Sequence, residues 1–234
     1  MNVLMIKLRA LGRRLGLHHY VYGLRVFLGQ KKHYEQSFNR ALKLAVHEGD
    51  VVWDVGANVG VYTALFCKWV GPKGHVVAFE PDPSSLAEIR RSLQECACLT
   101  LMEVALGSSN GMSSFVADPS WSARSHLQFG NGPESSNKVV VPVKVSTGDA
   151  VCARTGRVPN VIKLDVEGFE DDVLLGLRNT LSSPILRAVL LEVHFQALED
   201  RGHLTAPVEI EKLFKANGFK LKWVDSNHLK AERA

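Results

Sequence analysis

Two residue pairs in this chain have the types and spacing for proton transfer. Lys163 and Asp165 lie two apart in the apolar run 161–166, and Glu192 and His194 lie two apart at the end of the run 187–193. Both runs read as buried strands, and a period of two puts each pair on one side of its strand. Adjacent parallel strands would gather Lys163, Asp165, Glu192 and His194 at one sheet edge, outside the carboxyl ends, where open α/β sheets bind ligands. There Asp165 or His194 would act as the base for a hydroxyl. The imidazole has the reference pKa nearer neutrality, and Asp165 could instead orient it. Asp165, Glu192 and His194 also make an incomplete shell for a divalent metal, but a metal-independent site is the favoured expectation. A lysine in an apolar strand needs a partner, so Lys163 is expected to be buried against Asp165 or Glu192.

A second stretch supplies a place for a cofactor. Residues 51–60, VVWDVGANVG, read as a buried strand, a glycine turn and the start of a helix. Gly56 and Gly60 bracket the turn, where a side chain would keep a ligand off the backbone. The helix is expected to face the core with Val61, Ala64, Leu65 and Trp69 and to stop at Gly71 and Pro72. A dinucleotide site wants a glycine where Asn58 stands. Asp54 before the turn, with a free helix N-terminus behind it, suits the ammonium and carboxylate of S-adenosylmethionine better. Glu80 ends a second strand, 75–79, about twenty residues past the turn, where a carboxylate grips a ribose diol. Asp82 and Pro83 open the next helix as N-cap and first-turn proline. Val104 and Ala105, after a third strand, would flank an adenine ring.

These stretches must be held by one fold. The chain has 234 residues, 46% hydrophobic and 22% charged, with net charge +4, enough for one α/β domain and a small extension and too mild a charge to argue for nucleic acid. Residues 1–47 form a basic helical extension, carrying Lys7, Arg9, Arg13, Arg14, Arg25, Lys31, Lys32, Arg40 and Lys43 against Glu35. Leu4, Leu8, Leu11 and Leu15 lie at helical spacing. That stripe is expected to dock on the main domain or a second subunit; peripheral membrane contact through residues 3–17 is the alternative. Residues 48–234 form the main domain. Within them 108–137, rich in Ser, Gly, Asn and Pro with Trp121, Arg124, His126 and Phe129, is expected to be an irregular substrate lid, framed by strands at 113–117 and 138–145 with Pro142 at an edge. The residues after Trp223 are polar and expected to fray. Cys67, Cys96, Cys98 and Cys152 are scattered, without zinc-finger spacing. Reduced thiols, no transmembrane run and no signal peptide point to a cytoplasmic protein.

The strings DVGANVG at 54–60, AFEP at 78–81, EVALG at 103–107, IKLDVEGFE at 162–170 and LLEVH at 190–194 resemble the FkbM-type S-adenosylmethionine-dependent methyltransferases. The resemblance runs from about 50 to 224. It implies a class I methyltransferase (Rossmann-like) α/β fold, a mostly parallel sheet flanked by helices, and O-methylation of a hydroxyl on a sugar or natural product. It also implies a cofactor site built by Asp54, Gly56, Asn58, Gly60, Glu80 and Ala105. Gly148 stands where the family often has an aliphatic residue. The chain stops soon after the strand at Trp223, so the last antiparallel strand is expected to be missing or irregular, with pairing to another copy in a homodimer as one remedy. The competing readings are a methyltransferase acting on RNA or protein, and a catalytically silent cofactor-binding protein that docks through its basic N-terminus. The fourth strand is followed by DVEG rather than an Asn/Asp-Pro-Pro-aromatic string, which argues against methylating nucleic-acid bases.

Overall fold

The structure, a computed structural model, describes residues 30–117, 126–128 and 139–233. The leucine stripe at 4–15, Trp121, Arg124 and Phe129 lie outside the described residues. Helix α1 (Gln30–Ala45) leads into β1 (Val51–Val55), α2 (Val61–Val70), β2 (His75–Phe79), α3 (Pro83–Ser92) and β3 (Leu99–Met102). Next come β4 (Ala105–Leu106), β5 (Gly111–Ala117), β6 (His126–Gln128), β7 (Val139–Ser146) and α4 (Gly148–Thr155). The remainder is β8 (Val161–Leu164), α5 (Glu170–Leu175), α6 (Arg178–Ser182), β9 (Ala188–Glu192), α7 (Phe195–Asp200), α8 (Ala206–Ala216), β10 (Lys220–Trp223) and β11 (His228–Glu232).

Seven strands form the main sheet in the order β10-β11-β9-β8-β1-β2-β3. The run β3-β2-β1-β8-β9 is parallel throughout, and β11 alone is antiparallel to its neighbours. The inner parallel strands β1, β2, β8 and β9 are mostly apolar and buried, as helices on either side require, and the edge strand β3 is half-buried. Their order reverses between β1 and β8, which opens a crevice at the carboxyl ends of those two strands.

The polar tail does not fray. β11 inserts between β9 and β10 and alternates, with Leu229 and Ala231 fully buried. Its period-two signal spans only two apolar residues in five, too short to stand out in the sequence. Arg233 fastens the end by donating to the carbonyls of Leu186 and Asn217 at 3.0 and 2.7 Å.

Helix α1, the end of the stretch read as a basic helical extension, packs on the domain: Phe38, Leu42 and Ala45 share a core with Phe66, Val70, Val76, Val161 and Leu190. Helix α2 faces that core with Thr63, Phe66 and Val70, and Val61 is exposed. Its sequence is apolar almost all round, so the pattern did not select the face. What selects it is Thr63, whose hydroxyl reaches Asp54 on β1.

The region expected to be an irregular lid is partly a second sheet, β4-β7-β5-β6. β5 starts at Gly111 and pairs with β7 along its whole length, while β4 meets β7 only at Val145 and Ser146. Among the described residues Pro142 therefore has an open flank, where a missing N–H costs nothing. Gly148 is a packing requirement, since a Cβ there would lie 2.2 Å from Leu177.

The four cysteines are free, yet they are not all scattered: Cys96 and Cys98 sulfurs lie 3.5 Å apart, with Cys67 beside them. Among the described residues no helix is long and apolar enough to cross a membrane.

Candidate functional site

The turn after β1 is held by backbone before any ligand is considered. Gly56 N and Ala57 N both donate to Phe79 O at 3.1 Å. Gly56 and Gly60 adopt φ of 75° and 86°, which favour glycine. Their lack of a side chain serves protein packing, contrary to the expectation that it clears space for a ligand. A Cβ at Gly56 would lie 1.8 Å from Asp165 O, and one at Gly60 would press on Ile89 at 3.0 Å.

Asn58 sits between them at φ 49°. Its N–H donates to Glu80 Oε2 at 2.7 Å, and Asp82 N donates to Glu80 Oε1 at 2.8 Å. Asn58 Oδ1 has no hydrogen-bond partner among the described residues, although it is shielded from solvent. Helix α2 begins directly after, without a side-chain cap. A shielded acceptor, a carboxylate with lone pairs to spare and uncapped helix N–H groups fit a ligand bearing hydroxyls and a carboxylate, as S-adenosylmethionine does. Burial pushes the Glu80 carboxyl up to about 7, against the pull of its two N–H partners and the Lys163 charge.

Asp54 does not face that ligand space. It is fully buried; Oδ2 accepts from Thr63 Oγ1 at 2.7 Å, and Oδ1 lies 3.2 Å from Lys163 Nζ as an ion pair off the hydrogen-bond line. Val104 packs on the main core, and Ala105 packs with Val143, Val145 and Phe169. Both are committed to packing.

Lys163 is buried, as expected, but its partners differ in part. Nζ donates to Gly56 O at 2.7 Å and lies 3.2 Å from Asp54 and 3.5 Å from Asp165. Burial alone would lower its pKa; Asp54 and Asp165 outweigh that and raise it. The strand register sets Lys163 beside Asp54, a pairing that strand order and not local sequence decides. Lys163 thus ties the glycine turn to the end of β8.

Glu192 does not join this group. It lies 3.5 Å from His228 Nε2, its register neighbour on β11. The period-two argument fails because β9 ends at Glu192 and the chain turns, leaving His194 to open α7. In place of Glu192 stands Glu167, which the sequence reading passed over within the DVEG string. Glu167 Oε2 lies 3.2 Å from His194 Nε2, and Asp165 Oδ1 lies 3.7 Å from the same nitrogen. Burial pushes the Glu167 carboxyl up to about 7; Asp165, Glu192 and Glu170 add to this, and His194 opposes it.

Glu170, in the first turn of α5, is fully buried. Its Oε1 contacts His194 Nδ1 at 2.8 Å and accepts from Gly168 N at 2.9 Å. Burial would lower the His194 pKa, but the Glu170 hydrogen bond and the charges of Glu170, Asp165 and Glu167 push it up to about 10. His194 as it stands is an imidazolium near neutrality, not the free base expected. The side chains of Asp165, Glu167 and His194 keep 28%, 37% and 17% of their surface open, so this corner is reachable. One donor atom from each lies within 4.8 Å of the others. The loop is braced from the far side by Arg201, which bonds Gly168 O and stacks on Phe169 at 3.8 Å.

The family model for the methyltransferase FkbM domain matches residues 54–221. A hexuronic acid methyltransferase, AglP, of Haloferax volcanii is 33% identical over 163 residues, covering 68% of this chain and 62% of that protein. The 2-O-methyltransferase NoeI of Sinorhizobium fredii is 30% identical, covering 56% of this chain and 59% of that protein. The chain thus spans about three fifths of the length of these relatives. Among solved structures, a methyltransferase FkbM from Methylobacillus flagellatus superposes with TM-score 0.54 at 16% identity, covering 78% of this chain and 43% of that one. An rRNA methylase from Streptococcus thermophilus gives 0.50 at 10% identity, covering 86% and 95%. These two likenesses carry the class I methyltransferase fold, and the match over 54–221 carries more: the chain belongs to the FkbM-domain methyltransferases.

Proposed function

We propose that this protein transfers a methyl group from S-adenosylmethionine to a hydroxyl of a sugar or another small molecule. The observation that carries the reading is the pair of sites joined by Lys163. On one side is the turn with Asn58 and Glu80; on the other is the open corner of Asp165, Glu167 and His194. In this reading the cofactor lies along the turn, with its ribose at Glu80 and its methyl group directed to the corner. The sulfonium already activates that methyl, so the protein has to align an oxygen and take up its proton. The acceptor oxygen attacks the methyl carbon as the carbon–sulfur bond breaks and its electron pair returns to sulfur. The sulfonium becomes a neutral thioether, and the hydroxyl proton leaves toward the corner, where Asp165 and Glu167 supply accepting oxygens. The preference for a sugar rests on AglP and NoeI, whose names specify a hexuronic acid and a 2-O position. The second sheet would cover the acceptor.

The test is transfer of labelled methyl from S-adenosylmethionine to a panel of uronic acids and glycosides, with cofactor binding followed in parallel by calorimetry. Label in an ether or ester product supports the reading. No binding of the cofactor at all would overturn it.

A further inference from the structure

We propose that Asp165, Glu167 and His194 form a site for one divalent cation of the magnesium and manganese class. The site replaces the sequence-derived shell containing Glu192, which the structure turns toward His228. Four observations support it independently of any activity.

The donor atoms converge: a nitrogen and two carboxylate oxygens lie within 4.8 Å of one another, close enough for one ion to touch all three after small side-chain movements. The histidine is oriented for the task. Its Nδ1 is taken by buried Glu170, which leaves Nε2 toward Glu167 and Asp165; metal-binding imidazoles are fixed in the same way by a carboxylate behind them. The charge is unbalanced. Among the described residues the carboxylates of Asp54, Asp165, Glu167 and Glu170 are met by Lys163 and His194, and an ion on His194 Nε2 takes the place of that nitrogen's proton, so three carboxylate charges then stand beyond Lys163 for a divalent ion to meet. Glu170 also holds one oxygen, Oε2, fully shielded and without a hydrogen-bond partner among the described residues. Among those residues that carboxylate meets positive charge only through the imidazole, and an ion that replaces the Nε2 proton keeps the Nδ1–H directed at Glu170 and the ring polarised toward it.

Two oxygens and one imidazole nitrogen suit a hard cation better than a thiolate-seeking one. With only three protein ligands and a partly open corner, the ion keeps positions for water or for an acceptor hydroxyl. In the catalytic role, which rests on the methyl-transfer reading, such an ion would lower the pKa of that hydroxyl and hold its oxygen in line with the methyl group, the proton passing to a carboxylate oxygen of the corner that the ion leaves free. Binding itself does not rest on that reading.

The experiment uses the full chain, stripped with chelator and desalted, titrated with manganese while the free ion is followed by electron paramagnetic resonance. Calorimetry with S-adenosylmethionine runs alongside. One saturable manganese site per chain is expected, displaced by magnesium. Glu167→Gln and His194→Ala should each weaken it by roughly tenfold or more, and Glu192→Gln should leave it unchanged. Circular dichroism melts of each variant confirm folding, and Glu167, being partly exposed, is the substitution least able to unfold the chain. No saturable site in the folded parent, or equal binding in both ligand variants, would overturn the proposal. Cofactor binding without manganese binding would sink the cation site and leave methyl transfer standing; manganese binding without cofactor binding would do the reverse.

Discussion

Two clusters of charged side chains meet at Lys163, and they differ in one respect. Asp54, Thr63 and the Lys163 ammonium are sealed: Asp54 and Lys163 are 0% and 2% exposed, and every close partner is protein. Asp165, Glu167 and His194 sit a few ångströms away, and each keeps part of its surface open. The first cluster spends its charge on holding β1, α2, β8 and the glycine turn in register. The second has excess carboxylate and room for a visitor. Charge in this molecule is structural where it is enclosed and chemical where it is left accessible.

The largest effect should come from breaking the sealed cluster. Lys163→Met strands Asp54 in the core and should destabilise the protein by about 3–5 kcal/mol in urea unfolding, because a lone buried charge loses its compensation. Adding Asp54→Asn should recover much of that loss. A single variant as stable as the parent would show that the pair is not what holds the turn.

A tenfold-scale effect should follow from Glu80, which feels the Lys163 charge. Its carboxyl, normally near 4.5, sits at about 7 because it is buried. The folded protein therefore keeps this proton up to about pH 7. Glu80 draws stability down as pH rises from 4.5 to 7, the reverse of a salt-bridged acid. In the proposed reading the ionised form is the one that would accept the ribose hydroxyls. Cofactor affinity should rise with pH and level off above 7, losing up to about tenfold per pH unit below it. Calorimetry across pH 5.5–8.5 reads this directly, and a flat profile would remove Glu80 from the ribose.

His228 should give the smallest effect. Burial lowers its pKa, but Glu192 and Asp225 outweigh that and raise it above 6.5. Its folded value is higher than its unfolded one, so its stabilisation is complete below pH 6.5 and fades as pH rises through the folded value. His228, stacked on Phe38 at 3.8 Å, belongs with the enclosed charges. His228→Gln should flatten the stability slope in that window and leave turnover near the parent's. Lost turnover would place it on the open side of the comparison.

The same contrast explains what could be read from the sequence. Strands β1, β2, β3, β8 and β9 announce themselves by apolar runs, and Glu80, Asp82 and Pro83 by their places at element ends. Lys163 was legible as a buried ion because an apolar strand gives a lysine no alternative. Its partner Asp54 was not, since that pairing comes from the register between strands more than a hundred residues apart in sequence. Glu170 reads as a helix-dipole acid and Glu167 carries no signal of its own, and only the turn at φ 51° at Glu167, with α7 folding back, shows that both meet His194. Glu192 and His194 share a strand by period but not in space, because the strand stops between them. β11 was missed because five residues with two apolar positions carry too little pattern.

The central claim is that the turn binds the cofactor and the open corner handles the acceptor. One paired measurement tests it: calorimetric affinity for S-adenosylmethionine and the rate of methyl transfer, in Glu80→Gln and Asp165→Asn side by side. Glu80→Gln should weaken cofactor binding by about 1–3 kcal/mol through lost charge-assisted hydrogen bonds. Asp165→Asn should bind the cofactor within about twofold of the parent and transfer methyl roughly 10²–10⁴ times more slowly. Unchanged cofactor binding in the first variant, or full transfer rate in the second, would contradict the account.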